Sequence, residues 1–207
     1  MRTADTLMEA QKDIKRRPPS GRHGLRNYLR AATVDDHAGL DARLSALNWG
    51  SVQDYRYFLE ASAGALLPIG AALIEANVMQ IFPDWERRSR RSAILSDLEH
   101  IGGRVSCLAA QPCLGFEGVL GTMYVLEGSR LGAKVLLARI AGAADPTILR
   151  ATAYLSHGSG QKLWQTFIDG LEQQAAQIER GAVAADAARQ AFRLFARMFA
   201  SVDRSTS

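Results

Sequence analysis

The chain has little cysteine: Cys107 and Cys113 are the only two in 207 residues. They form neither a CxxC pair nor a disulfide framework. Their spacing reads as two buried thiols in a reducing cytosol, not as a bridge or a metal site. Aromatic residues make up 7% and prolines number six. Alanine, leucine, arginine and glutamine are plentiful instead, a composition that favours helices. Long apolar runs are scarce as well. The most membrane-like stretch, residues 63–82, is interrupted by Pro68, Glu75, Asn77 and Gln80 and reads as a buried helix. The first 24 residues are polar and basic with no apolar h-region, so the expectation is a cytoplasmic protein without a membrane anchor. No Walker motif, no GxSxG and no glycine fingerprint after a strand occurs, which argues against P-loop, nucleophile-elbow and dinucleotide-binding chemistry.

Charge is also unevenly spread. The net charge is +4, but residues 1–24 carry +3 of it through Arg2, Lys12, Lys15, Arg16, Arg17 and Arg22 against Asp5, Glu9 and Asp13. The remainder is nearly neutral and lacks the clustered basic face that a nucleic-acid binder needs. Residues 1–23 read as a disordered tail ending in KRRPPSGRH, and residues 203–207 as a short C-terminal tail.

Between the tails, residues 24–202 read as one domain, large enough to bury a core. Leu25, Leu29, Thr33, His37, Leu40, Leu44 and Leu47 recur at spacings of three and four, one face of a helix. Gly50 ends that pattern. Ser51 is a candidate N-cap, with Asp54 placed to reach back as in a capping box. A helix follows from about Val52 to Ala65, interrupted or restarted at Pro68, with a further stretch to about Met79. Later helices are expected over Glu86–His100, Phe116–Ile140, Thr147–Ser156, Ser159–Ile178 and Ala184–Ser201. With almost no strand signal, the fold class is all-α, a single multi-helix bundle.

Three features bear on chemistry. His37 lies within an apolar stripe. It is either a hydrogen-bonded core histidine or a metal ligand whose second nitrogen is oriented by a neighbour. Arg30, seven residues earlier, sits on nearly the same face about 10 Å along the axis, where it could pair with an acidic group or simply be solvated. In GFEGVLGTMYVLEGSRLGAKVLLARI, Gly118, Gly121, Gly128 and Gly132 fall on one side of a helix. Each glycine there costs about 1 kcal/mol relative to alanine, so the row needs a reason. Close helix contact, a flat ligand against the backbone, and a bend would each serve. The four arginines of 87–91 read as a solvated face, with a docking site for an acidic redox partner as the sharper alternative. Asp97-x-x-His100 supplies one carboxylate-x-x-His pair where a di-iron bundle needs two.

Together these segments resemble the heme oxygenase family, above all the bacterial, biliverdin-producing members that accompany bacteriophytochromes. LRAATVDDHAGLD resembles the proximal helix of that family and YVLEGSRLGAKVL its kinked distal helix, in the same order and about 90 residues apart. The resemblance implies that heme is held between those two helices. It makes His37 the iron ligand, Arg30 a propionate partner and Asp41 the acidic neighbour of the histidine. Gly128 and Gly132 become the paired glycines over the heme face, and Tyr124 joins the residues around the cofactor. Ser129 stands where many members carry aspartate, and Ala133 where many carry glycine. In the later helix Lys162 is the candidate second propionate partner.

The activity this implies is oxidative cleavage of heme to biliverdin, ferrous iron and carbon monoxide. Heme would be both substrate and cofactor, oxygen the oxidant, and a ferredoxin or other reductase the electron donor. A bacteriophytochrome is the implied recipient of the product. The alternative is a non-catalytic heme sensor or carrier on the same fold. A helical enzyme with another cofactor and a plain interaction module are the other contrasting readings.

Overall fold

The computed structural model describes residues 24–105, 108–110, 112–178 and 181–202. Both tails read from the sequence, and Cys107, lie outside these residues; Cys113, expected to be buried, is exposed. Among the described residues there are helices and no strand: α1 (Gly24–Ala32), α2 (Val34–Ser45), α3 (Val52–Glu75), α4 (Val78–Ile81), α5 (Trp85–Arg88), α6 (Arg91–Ile101), α7 (Phe116–Ile140), α8 (Pro146–Arg150), α9 (Ala153–Ser156), α10 (Leu163–Gln174) and α11 (Gly181–Ser201). The expected all-α bundle is what the chain forms.

Helices α7 and α11 make the most extensive contact, and α11 also packs on α3, α2 and α1. Glycine permits this intimacy. A Cβ placed on Gly121 would lie 1.9 Å from the Ala184 carbonyl oxygen, so the two backbones touch there. Around this pair the core is aliphatic and alanine-rich, with Leu59, Ile69, Leu120, Met123, Ile148 and Phe167 fully buried.

Several helix ends are closed by distant or local side chains. Ser51 caps α3, accepting a hydrogen bond from the Asp54 amide at 3.3 Å. The Asp54 carboxylate reaches past the cap to the Asn48 amide, at 2.7 Å. Helix α1 has no acidic residue in its first turn. Its free amides at Leu25 and Arg26 donate instead to the Glu172 carboxylate of α10, at 3.3 and 2.9 Å. Asp97, buried in α6, takes the amides of Ala153 and Tyr154 and so starts α9.

Three expectations need correction. Pro68 does not break its helix, since α3 runs unbroken from Val52 to Glu75 with Pro68 inside. A proline lacks the amide that would bond to the carbonyl four residues back. Here that carbonyl, on Gly64, accepts the Ala109 amide at 2.9 Å, so the loop after α6 supplies the missing donor. Second, the apolar stripe that begins at Leu25 is only partly buried through α2. Leu25, Leu29, Thr33 and Leu47 are buried, Leu40 and Leu44 pack half-buried against the core, and His37 is exposed. The Thr33 hydroxyl bonds back to Leu29 O at 2.8 Å, and α1 and α2 divide at this residue. Third, Arg88 and Arg90 are buried, although the cluster at 87–91 reads as a solvated face.

The α3 helix is long and apolar enough to cross a membrane by composition, but 72% of that stretch is buried inside the fold, as in a core helix.

Candidate functional site

Helix α11 holds both α1 and α2: Arg189 donates to Ala32 O at the end of α1, at 3.1 Å, and Arg193 pairs with Asp36 of α2 at 3.4 Å. Beside Asp36 stands His37, with its ring edge-on to Phe192 at 5.6 Å. It is no core histidine, for its side chain is 61% exposed. Its Nδ1 lies 2.9 Å from the Asp41 carboxylate, one helical turn on. In the neutral tautomer Nδ1–H donates to that carboxylate. The Nε2 lone pair is then left pointing outward, the arrangement of an oriented metal-ligating imidazole.

Helix α7 has two unlike halves. In the first, Gly121 is pressed on α11, and Gly118 is buried beneath Leu114, 3.3 Å from where its Cβ would be, with Ala187 of α11 at 4.0 Å. In the second, a Cβ on Gly128 would meet only the Trp164 ring at 3.7 Å, and one on Gly132 would meet nothing within 4 Å. Leu131 and Val135 lie beside these glycines and are exposed, as is Val34 on α2. The glycine row thus divides its work. One pair serves helix contact; the other leaves a bare, largely apolar helix face that could receive a flat ligand.

Where α1 meets α7 and α10, polar and aromatic groups converge. Tyr124 is flanked by Trp164, with ring centroids 6.0 Å apart, and the Arg26 guanidinium lies 5.9 Å from the Trp164 ring. Burial pushes the Tyr124 hydroxyl above its ordinary pKa, while Arg26, Arg30 and a bond with Thr33 pull the other way. Arg30 itself is exposed. Two cations and a phenol at one end of the site suit a ligand carrying carboxylates.

Of the residues read from the sequence, Arg30 and Tyr124 come together, as do His37 and Asp41. Lys162 precedes α10 and lines a cavity of about 90 Å3 with Arg130, Leu131, Lys134, His157 and Trp164. Ser129 is exposed beside Gly128. Its hydroxyl donates to Leu126 O and accepts from Arg90 Nη2, both at 2.8 Å.

The sequence reading missed what stands behind α7. Glu127, 2% exposed, binds Arg130 through both carboxylate oxygens, at 2.8 and 3.0 Å, and Arg88 at 2.8 Å. Arg88 also donates to Asp84, Leu163 O and Thr166, and Arg130 to Arg88 O and to His157. This cluster pins the second half of α7 to α5 and α10. The signal available was Glu127 and Arg130 at a spacing of three within an apolar helix.

The donor set fits heme: an oriented imidazole, a helix face bare of Cβ atoms, and cations at one end.

Comparison with known proteins agrees. The Heme oxygenase family profile matches residues 75–201, which include α7, α10 and α11. A curated protein named heme oxygenase, from Xanthomonas campestris pv. campestris (strain 8004), is 31% identical over 113 residues. That match covers 54% of this chain and 66% of the relative, just under two thirds of its length. The NO- and CO-bound heme oxygenase of Neisseria meningitidis superposes with a TM-score of 0.73 at 22% identity, over 84% of this chain and 89% of that one, a likeness of fold. The chain belongs to the heme oxygenase family.

Proposed function

We propose that this chain is a heme oxygenase that degrades heme to biliverdin, ferrous iron and carbon monoxide, with His37 as the iron ligand. The observation that carries the site assignment is the exposed His37 ring, tied through Nδ1 to Asp41 at 2.9 Å. When bound, heme supplies the iron that activates oxygen and the ring that is opened, with electrons from a ferredoxin or other reductase.

The work of the chain's own residues is holding and shaping. Asp41 fixes the tautomer and angle of His37, which keeps Nε2 available. Arg30 and Arg26, with Tyr124, orient the propionate edge. Lys162 is a further candidate there. Gly128 and Gly132, bare of Cβ atoms, would let the α7 backbone lie close against the bound ring. Leu131 and Val135 exclude bulk water beside it. The Ser129 hydroxyl, beside Gly128, is the side-chain group positioned to order water at that face. A bacteriophytochrome is the proposed recipient of the product, and the cytoplasm the proposed compartment.

One observation favours a second reading, a heme carrier or sensor without turnover. Ser129 stands where many family members carry aspartate, and its proton is already committed to Leu126 O.

The test is a visible spectrum of the chain with one equivalent of hemin, followed in air after ascorbate or a ferredoxin system is added with catalase present. The expected result is a Soret band that forms and then decays as a broad red biliverdin band grows. A persistent Soret band would support the carrier, and no Soret band would end the heme reading.

A further inference from the structure

Behind the second half of α7 lies more buried positive charge than negative. Arg88, Arg90 and Arg130 are all buried. Of the two buried carboxylates among the described residues, Glu127 binds Arg88 and Arg130, and Asp97 is taken up by the amides of Ala153 and Tyr154. Asp84, at the rim with a 32% exposed side chain, adds a second partner for Arg88. Glu127 is shared between Arg88 and Arg130. Arg90, 4% exposed, has no carboxylate within ion-pair distance among the described residues. Its Nη2 donates to two neutral acceptors, Leu126 O and Ser129 Oγ, each at 2.8 Å. Its guanidinium lies 4.9 Å from the centre of the Tyr154 ring.

A guanidinium stays protonated under these conditions. Burying it on neutral acceptors is costly, and an apolar side chain would fill the space at lower cost. Ser129 carries the contact from the buried guanidinium to the surface. That residue is exposed, adjoins Gly128 and lies one turn from Gly132. The Leu126 carbonyl receives both Arg90 and the Ser129 hydroxyl, which fixes this turn of α7 from behind.

We propose that Arg90 is a positioning residue that biases the open Gly128–Gly132 face toward an anionic ligand, acting through Ser129 and through its own uncompensated charge. The proposal rests on the heme reading of the site. The other charged or titratable groups around this turn are Arg88, Arg130, Glu127 and Asp84. His157 accepts from Arg130, and Lys134 and Lys162 stand at the surface. Of these, Arg130, Glu127 and His157 feel the Arg90 charge, as does Tyr154, which is why both ligands are compared at one fixed pH.

The experiment compares two iron ligands on the hemin-loaded full chain at fixed pH and ionic strength, azide as the anion and imidazole as the neutral probe. Arg90→Met should weaken azide binding roughly tenfold and leave imidazole binding within about twofold, the order expected for removing one nearby charge in a partly screened medium. Arg90→Lys should restore most of the azide affinity. Ser129→Ala leaves the buried charge in place and removes the hydroxyl, whose proton bonds Leu126 O and can rotate to an anion while Oγ still accepts from Arg90. It should cost about threefold for azide, of the size of one lost hydrogen bond. Equal losses for azide and imidazole would overturn the proposal by making Arg90 purely structural, and so would an unchanged azide affinity. If Arg90→Met fails to fold, an unchanged azide-to-imidazole ratio in Ser129→Ala overturns it instead. A wild-type chain that takes up no hemin would refute the heme reading itself, a different failure.

Discussion

The two halves of α7 use the same residue for opposite ends. Gly121 is where α7 and α11 touch, with no room for a methyl group beside Ala184. Gly132, eleven residues on, faces open space. A glycine row within a helix therefore says only that side chains are excluded. Whether another helix or a ligand does the excluding is decided by what the rest of the turn carries. Around Gly121 the neighbours Leu120, Met123 and Val125 are buried. Around Gly132 they are Leu131 and Val135, exposed, with the Glu127 ion cluster holding the opposite side.

The sharpest way to break this contrast is to add a methyl group to each half. Gly121→Ala should destabilise the fold by several kcal/mol, on the order of 4, because its Cβ must force two backbones apart. The gain in helix propensity, about 1 kcal/mol, offsets little of that. Urea unfolding reads the effect, and a loss below about 1 kcal/mol would refute the contact assignment. Glu127→Gln should cost about 3 kcal/mol by leaving Arg88 and Arg130 buried without their charge partner. A midpoint equal to wild type would show that the cluster does not anchor α7.

Gly132→Ala should do the reverse of Gly121→Ala: stability rises by about 0.5–1 kcal/mol through helix propensity. Hemin affinity should fall about tenfold, since a methyl group now meets the ring face. Unchanged hemin binding would remove the glycine face from the site. The smallest effect concerns pH. Burial, assisted by Arg130 and Arg90, holds His157 below its ordinary pKa of 6.5. The unfolded chain then binds the proton first, so this contribution to stability is present above about pH 6.5 and is lost as the pH falls below it. His157→Asn should flatten that part of a urea-midpoint profile, and an unchanged slope would contradict the assignment.

Much of this was legible from local pattern. The Ser51 cap and the glycine row depend on residues within a turn or two, while Asp41 beside His37 came from the resemblance to the heme oxygenase family. What was not legible depends on partners far along the chain. Pro68 stays in its helix because Ala109 serves the Gly64 carbonyl. Arg88 is buried because Glu127 meets it from α7. Helix α1 starts where it does because Glu172 takes its amides. The exposure of α2 was hidden for a related reason. Its leucines keep helical spacing, yet only one of its flanks has a neighbour, α11, among its main contacts.

The most direct test of the site is a hemin titration of the wild-type chain beside His37→Ala, read by electron paramagnetic resonance of the ferric complex. Because His37 is exposed, the substitution should leave stability within about 0.5 kcal/mol. The account predicts a histidine-ligated signal in the wild type that is lost in the variant and restored by added imidazole. An identical signal in both chains would contradict it and place the iron elsewhere.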